Sequence, residues 1–124
     1  MTDLHFPPRE LAVMSVLWRL GSATVADVRA HLDEDLAYTS VLSALQTLEK
    51  KGYVRPEAEG RAYRYFPTVA ADKAGRRAIG RIRDAIFQGS SERLFAQLVS
   101  DKRLSRAELE RMRALLAERL GDEP

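Results

Sequence analysis

The sequence predicts a mainly α-helical protein with one small β-hairpin, and three observations support this. Apolar residues recur at helical spacing in six segments of the chain. Residues 53–66 have the aromatic and β-branched content of strands, around a charged turn that contains a glycine. A glycine follows four of the helical segments, where it can end a helix. We expect one folded domain over residues 1–69 and a three-helix region over residues 70–124.

Length and composition limit the possible classes of protein. The 124 residues, 45% of them hydrophobic, are enough for one compact domain or for a small domain with an appendage. No apolar run approaches the roughly 18 residues that span a bilayer, and the N-terminus lacks the apolar segment of a signal peptide. We therefore expect a cytoplasmic protein with no membrane partner.

The residues needed for catalysis or metal binding are sparse. The chain has no cysteine, which excludes disulfides, thiolate metal sites and cysteine nucleophiles. His5 and His31 are the only histidines, and the glycines have no phosphate-binding spacing. The sequence predicts neither an enzyme nor a cofactor or metal site.

The formal net charge of +2 is too small to indicate nucleic-acid binding by itself. Residues 1–69 contain eight basic and nine acidic residues, so the case for DNA binding depends on where the cations lie. Five of them form a local group around the third helix and the hairpin: Lys50, Lys51, Arg55, Arg61 and Arg64.

The first two helices have clear start signals. Pro7 and Pro8 suit the start of a helix over residues 9–20, with a broad apolar face and Trp18 as a core anchor. Residues 24–32 open with a capping-box pattern, Thr24 followed three residues later by Asp27. Residues 22–24 are a candidate short strand, and the acidic residues 33–35 are read as a solvated turn.

The third helix, residues 39–51, has two different faces. Val41, Leu45 and Leu48 form an apolar stripe at helical period. The opposite face carries Thr39, Ser40, Ser43, Gln46, Thr47 and Lys50. Solvated surface helices are usually filled with long charged residues, whereas small hydroxyls and an amide suit the base edges of a DNA major groove. This face can be a solvated surface or a DNA-reading surface.

The segment after this helix favours the second interpretation. Gly52 is placed to end the helix, and we expect a hairpin of residues 53–54 and 62–66 around a turn at residues 57–61. Three arginines lie on or beside this hairpin: Arg55, Arg61 and Arg64. A helix followed by a basic hairpin is the layout of a winged helix, in which the helix reads the groove and the wing contacts backbone phosphate.

The last part of the chain reads as three amphipathic helices. Ser90 or Ser91 is placed to cap the second of them, and Ser105 opens a capping box at the start of the third. A winged helix has a core of its own, so we expect their apolar faces to pack against a second copy of the chain. The predicted dimer residues are Ile79, Ile82, Ile86, Leu94, Phe95, Leu98, Leu109, Met112 and Leu116.

Five motifs in order carry a family resemblance: RELAVMSVLW, TVADVRAHL, AYTSVLSALQTLEKKGYV, GRAYRYFP and LSRAELERMRALL. The chain resembles the penicillinase and methicillin-resistance repressors of the BlaI and MecI type, which are related to the copper-responsive CopY repressors. The resemblance implies a dimeric winged-helix repressor on palindromic operator DNA, with the third helix in the major groove and the C-terminal helices forming the dimer. The positions that match the family's DNA contacts are Thr39, Ser40, Ser43, Gln46 and Thr47, with Arg61 as the wing cation.

The chain departs from the family at both known triggers. Relatives that respond to β-lactams are cleaved at an Asn-Phe bond after a membrane-bound sensor protease is activated, and Gln97-Leu98 stands at the matching position. Copper-responsive relatives carry C-terminal cysteine pairs, which this chain lacks. The inducer and any upstream sensor protease stay open. The leading prediction is a sequence-specific repressor, and the alternative is a winged-helix protein-interaction module without sequence-specific DNA binding.

Overall fold

The computed structural model describes residues 6–122 and confirms the predicted fold class, mainly α with a small sheet. The elements of the described chain are α1 Pro8–Leu20, β1 Ala23–Thr24, α2 Val25–His31, α3 Tyr38–Lys50, β2 Val54–Glu59, β3 Ala62–Pro67, α4 Ala71–Ile86, α5 Ser91–Val99 and α6 Arg106–Leu120. The chain divides into two compact units between Ile79 and Gly80, within α4. The functional division at residue 69 stays a prediction.

Helix α1 begins and ends where the prolines and the glycine indicate. Pro8 is its first residue, a position where the missing N–H costs nothing. Gly21, with φ of 87°, ends the helix and donates its N–H to the carbonyl of Leu17. The apolar face is narrower than predicted, because Leu11 and Leu20 are 46% and 43% exposed.

Trp18 acts as the predicted core anchor. Its ring packs against the core and meets the ring of Phe6 edge to face, with 6.0 Å between the centroids. Its Nε1 donates a hydrogen bond of 2.8 Å to the carbonyl of Val69, beyond the sheet. This bond joins α1 to the segment that enters α4.

Helix α2 has the complete predicted capping box. The backbone N–H of Asp27 donates to the hydroxyl of Thr24, and the N–H of Thr24 donates to the Asp27 carboxylate. The candidate strand before it is present as β1, which pairs antiparallel with β3. Thr24 therefore belongs to the sheet and also caps α2, so the two elements are held together.

Helix α3 ends in a Schellman motif that turns the chain into the wing. Gly52, with φ of 83°, donates its N–H to the carbonyl of Glu49 (3.0 Å), and the N–H of Tyr53 donates to the carbonyl of Leu48 (2.9 Å). A side chain at position 52 would be strained by that backbone conformation.

The sheet has the order β1-β3-β2 and is antiparallel throughout. Glu59 pairs with Ala62, so the turn of the wing is only Gly60 and Arg61. The predicted turn at residues 57–61 was too wide, because Glu57 and Glu59 continue the ladder as part of β2. Strand β2 lies at the edge of the sheet with one side open to solvent, so it accommodates polar residues and also Pro56.

One hydrophobic core lies between α1, α2, α3 and the sheet. Its largest fully buried side chains are Met14, Leu17, Leu45 and Leu48. Val41, which belongs to the same predicted stripe of α3 as Leu45 and Leu48, is fully buried as well. Because this stripe is held inside, the opposite face of α3 is turned outward.

In the second unit, residues 80–122 form no comparable core. Ser90, rather than Ser91, caps α5 by accepting from the N–H of Arg93, and Ser105 caps α6 with the predicted capping box. No residue of α5 or α6 is buried. Within residues 6–122 no helix is long and apolar enough to cross a membrane.

Candidate nucleic-acid interface

The outward face of α3 carries the side chains that the sequence predicted as DNA contacts. Ser40 and Thr47 are half-buried at one edge of this face, whereas the other four are exposed: Thr39, Ser43, Gln46 and Lys50. The hydroxyl of Thr47 donates to the carbonyl of Ser43 at 3.0 Å, one turn earlier. The Thr47 oxygen keeps lone pairs that can accept a hydrogen bond.

A cleft of about 350 Å³ runs along one side of this face, between α3 and the start of α1. Thr39, Ser40, Ser43 and Thr47 line it from α3, and Arg9 and Glu10 line it from α1. Arg9 is a cation beside the predicted reading face that sequence reasoning missed. No local pattern could reveal it, because its place depends on how α1 packs on α3.

A second cleft, of about 450 Å³, lies on the other side of α3, between the helix and the wing. Gln46 lines this cleft and not the first one. The wing contributes Arg61 and Tyr63, while Tyr38 lies at the start of α3. The predicted base-contacting residues therefore lie on two sides of one helix.

Two tyrosines of the second cleft were not predicted as functional residues. Tyr38 is 46% exposed and Tyr63 is 55% exposed. Tyr65, two residues along β3, is buried on the same face of the sheet, and burial is the main cause that raises the pKa of its hydroxyl. The sequence did contain a signal for Tyr63. Side chains alternate between the two faces of a strand, so Tyr63 must share a face with Tyr65.

Arg61 and Lys50 have no competing partners among the described residues. Arg61 lies in the exposed two-residue turn of the wing, and Lys50 is exposed at the end of α3. Across residues 6–122, neither side chain forms a hydrogen bond or an ion pair. Both cations are therefore available to an external anion.

The other cations of the predicted group are paired within the protein. Lys51 Nζ lies 2.8 Å from the Glu10 carboxylate. Arg55 lies 3.3 Å from the Glu57 carboxylate, and its guanidinium stacks 4.5 Å from the centre of the Phe66 ring. The predicted basic group is thus divided into free and paired members.

Arg64 is the most heavily engaged cation of the wing. It makes a bidentate contact to Glu59, at 3.0 and 3.1 Å. It also donates to the Ser22 hydroxyl at 3.3 Å and lies 3.7 Å from the Asp27 carboxylate. The contact of Arg64 with DNA phosphate stays a prediction. Two carboxylates of the protein already lie beside its guanidinium.

These contacts change the pKa values of two groups in this corner. Hydrogen bonds from the backbone and the side chain of Thr24 are the main causes that hold the pKa of Asp27 below its usual value, and the charge of Arg64 adds to them. The hydrogen bond to Glu59 is the main cause that raises the pKa of Arg64.

The two faces of the sheet separate the wing arginines. Tyr63 and Tyr65 face α3, so Arg64 and Phe66 lie on the opposite face. Arg55 pairs in register with Phe66 and stacks on it, which puts Arg55 on that opposite face too. Of the three wing arginines, Arg61 lines the cleft beside α3.

The predicted dimer residues are largely open to solvent in the single chain. Ile79, Ile82 and Ile86 lie on one face of α4 and are 55%, 43% and 61% exposed. Leu94 and Met112 are half-buried, and the other four are exposed: Phe95, Leu98, Leu109 and Leu116. The Gln97-Leu98 bond lies in α5, with both residues exposed.

The described residues contain no group of three or more side chains suited to hold a metal ion. His31 Nδ1 lies 2.8 Å from the carbonyl oxygen of Asp27 in its own helix. His5 lies outside the described residues.

A three-helix domain with a hairpin wing, an outward polar face on the third helix and a wing-turn arginine that is unpaired among the described residues is the architecture of winged-helix DNA-binding regulators. The comparisons with known proteins agree with this class. The model of the penicillinase repressor family matches residues 6–118. The chain belongs to the penicillinase repressor family, as the sequence motifs indicated.

The curated relatives include a regulator with an established name. The chain is 37% identical to the transcriptional regulator BlaI of Mycobacterium tuberculosis over 114 residues, which are 88% of this chain and 80% of the relative. It is also 25% identical to an uncharacterised 16.5 kDa protein of Latilactobacillus sakei, over 93% of this chain and 80% of that protein. The family and its named relative are transcriptional regulators and not enzymes.

Two solved structures are similar as well. A CopR repressor is 34% identical, with 48% of this chain and 88% of that chain covered and a TM-score of 0.43. An organohalide-sensing transcriptional regulator with bound 2,4-dichlorophenol is 17% identical, with 94% of this chain and 65% of that chain covered and a TM-score of 0.54. The second likeness concerns the fold alone.

Proposed function

We propose that this protein is a sequence-specific transcriptional repressor that binds a palindromic operator as a homodimer. The observation that carries the proposal is the outward face of α3, where small polar side chains replace the long charged residues of an ordinary surface helix. The buried stripe of Val41, Leu45 and Leu48 fixes that face toward the solvent. Membership of a family of repressors supports the same function.

The side chains of this face have the chemistry for reading base edges. Ser and Thr hydroxyls donate or accept, so Thr39, Ser40, Ser43 and Thr47 can pair with several bases. Gln46 can bond bidentately to adenine. Because Gln46 lies on the wing side and the hydroxyls lie on the α1 side, one helix in the major groove reads bases on both of its flanks.

The cations supply affinity that does not depend on sequence. Lys50 and Arg61 are free to bind phosphate, since no carboxylate competes for them within the described chain. Arg55 was predicted as a further phosphate contact, and to act as one it must share its charge with Glu57. Lys50 and Arg61 therefore carry the main phosphate contacts in this proposal.

The homodimer is proposed from the apolar faces of α4, α5 and α6. Isoleucine, leucine and phenylalanine side chains that are 40–61% exposed are costly in a monomer and are typical of subunit interfaces. A twofold dimer presents α3 twice, which requires an operator with two related half-sites. With so little net charge, two linked contacts also give useful affinity where one would be weak.

The test compares Ser43→Ala and Gln46→Ala with Arg61→Ala. A DNA duplex is first selected from a random-sequence library by the wild-type protein, and affinities are then measured by fluorescence anisotropy at several salt concentrations. Arg61→Ala should weaken binding to every duplex and reduce the slope of log K against log salt by about 0.9 per phosphate contact, or about 1.8 for a dimer. The other two changes should alter the preferred bases and leave that slope intact.

The alternative, a winged-helix interaction module, makes a different prediction for the same experiment. The wild-type protein would enrich no sequence from the library and would show no selective binding that depends on salt. Equal losses on every sequence for all three variants would contradict base reading by α3.

A further inference from the structure

The side chain of Arg64 connects three separate parts of the winged helix. Its Nε and one terminal nitrogen hold both oxygens of Glu59, at the end of β2. Its other terminal nitrogen donates to Ser22, in the connection between α1 and β1. The carboxylate of Asp27, in the first turn of α2, lies 3.7 Å away.

One of these contacts acts directly on the wing turn. Glu59 is the residue before Gly60 and Arg61, which form the whole turn. The bidentate contact therefore fixes the strand end from which Arg61 extends. Ser22 and Asp27 tie the same guanidinium to the helical part of the domain, so Arg64 sets the position of the turn relative to α2.

We infer that Arg64 is a positioning residue for DNA binding, which holds the Arg61 turn in place and does not itself contact phosphate. This inference rests on the proposed function and sharpens it. It assigns Arg64 a different role from the phosphate contact that sequence alone predicted, and it leaves Arg61 as the wing residue that contacts DNA.

Charge and exposure around Arg64 support this role. Two carboxylates surround the single guanidinium, so its immediate surroundings are net negative and disfavour an approaching phosphate. The Arg64 side chain is 30% exposed, and it lies on the sheet face opposite the cleft beside α3. Arg61 has the reverse properties, since it is exposed, lies beside α3 and has no partner within residues 6–122.

The planar fork of arginine is essential to the proposed role. Bidentate contact to Glu59 and a third bond to Ser22 use nitrogens in a fixed plane, and an ammonium group cannot reproduce that geometry. Lysine would keep a positive charge at the position. A phosphate contact should survive Arg64→Lys in large part, whereas the positioning role should not.

The experiment uses the full chain and the duplex selected by the wild-type protein. The variants are Arg64→Gln, Arg64→Lys, Glu59→Gln and Arg61→Gln, with Glu57→Gln as a matched control. Glu57 lies on the same strand as Glu59, and its replacement removes the same charge. Because Glu57 pairs with Arg55, both glutamate variants are made in an Arg55→Gln background, so that Glu57→Gln releases no cation. Affinity and its salt slope are measured by fluorescence anisotropy, and thermal unfolding verifies that each variant is folded at the temperature of the assay.

The expected result separates the two arginines. Arg61→Gln should reduce the salt slope by about 1.8 per dimer. Without Arg64 the turn is less ordered before binding, but Arg61 still reaches its phosphate in the complex. Arg64→Gln and Arg64→Lys should therefore both lose affinity, with the slope unchanged and with a loss smaller than that of Arg61→Gln. Since Arg64 acts through the turn, the double variant of Arg64→Gln with Arg61→Gln should bind no more weakly than Arg61→Gln alone.

The direction of the affinity change in Glu59→Gln distinguishes the two possible roles of Arg64. If Arg64 positions the turn, this variant should bind more weakly than Glu57→Gln, although both remove one negative charge near DNA. If Arg64 contacts phosphate, release from Glu59 should make binding tighter than in Glu57→Gln, and that result would overturn the inference. A salt slope reduced by Arg64→Gln, or an affinity restored by Arg64→Lys, would overturn it as well.

These outcomes are distinct from a failure of the proposed function. If the repressor proposal is wrong, the wild-type protein selects no duplex from the library. If only the role of Arg64 is wrong, the wild-type protein binds its duplex and Arg64→Gln behaves like Arg61→Gln.

Discussion

Ile82→Asp is the most direct test of the proposed dimer. Ile82 lies on α4 in the middle of the exposed isoleucine face, between Ile79 and Ile86. In a dimer that covers this face, the substitution removes an apolar contact from both copies and places an unpaired carboxylate in each. In a monomer, the same residue is partly in water and the change costs little.

The size of the effect follows from the exposure of Ile82. Full burial of an isoleucine side chain is worth about 1.5–3 kcal/mol, so covering the 43% that is exposed is worth about 0.6–1.3 kcal/mol per copy. Two copies give about 1.2–2.6 kcal/mol, which is about 8- to 80-fold in the dissociation constant of the dimer. The buried carboxylate adds to this loss, so about 8-fold is the lower bound.

Sedimentation velocity over a range of protein concentrations measures the dimer constant. Leu11→Asp is the matched control, because Leu11 is 46% exposed but lies on α1, outside the predicted dimer residues. It should leave the dimer constant unchanged. A wild-type protein that stays monomeric at every concentration, or an Ile82→Asp protein that dimerises like the wild type, would refute the reasoning.

Two further predictions concern folding. Gly52→Ala should lower the free energy of unfolding by about 1–2 kcal/mol, because φ is 83° at this position. An added Cβ would meet no atom within 4 Å, so the cost comes from backbone strain and not from a clash. Gly75→Ala, in the interior of α4, should raise the free energy of unfolding by about 0.5–1 kcal/mol. Urea unfolding measures both variants, and a shift of the two free energies in the same direction would contradict these two predictions. Because the pKa of Asp27 is held below 3.8, its carboxylate stabilises the fold fully above pH 3.8, and this contribution is lost as pH falls through the lower folded value. The stability gap between the wild type and Asp27→Asn should therefore shrink below pH 3.8, and a gap of constant size would show that Asp27 does not act through its charge.

The helices and their ends were readable from the sequence, because their signals are local. The capping boxes at Thr24 and Ser105 and the helix end at Gly52 depend on residues within a few positions of each other. The stripe on α3 is equally local, since side chains three and four residues apart must share a face. Its burial then determined which residues of α3 point outward.

The turn of the wing and the width of the α1 face were less predictable. The turn over residues 57–61 was predicted from the glycine that this segment contains. Glu57 and Glu59 lie instead in β2, because β2 is an edge strand with an exposed face that accepts charged residues. Leu11 and Leu20 fit the helical pattern of α1, yet the partners that α1 meets do not reach them. In both cases the environment was set by elements that are distant in the chain.

The sequence by itself determined the fold class, the helix boundaries and the polar face of α3, together with the motifs that place the chain in its family. Only the tertiary structure decided which cations are free. Arg64 meets Ser22 across 42 positions, and Lys51 meets Glu10 across 41. The alternation of the sheet then put Arg55 and Arg64 on one face and left Arg61 in the turn beside α3. Charge pairing depends on distance in space, and a list of residues along the chain does not contain that distance.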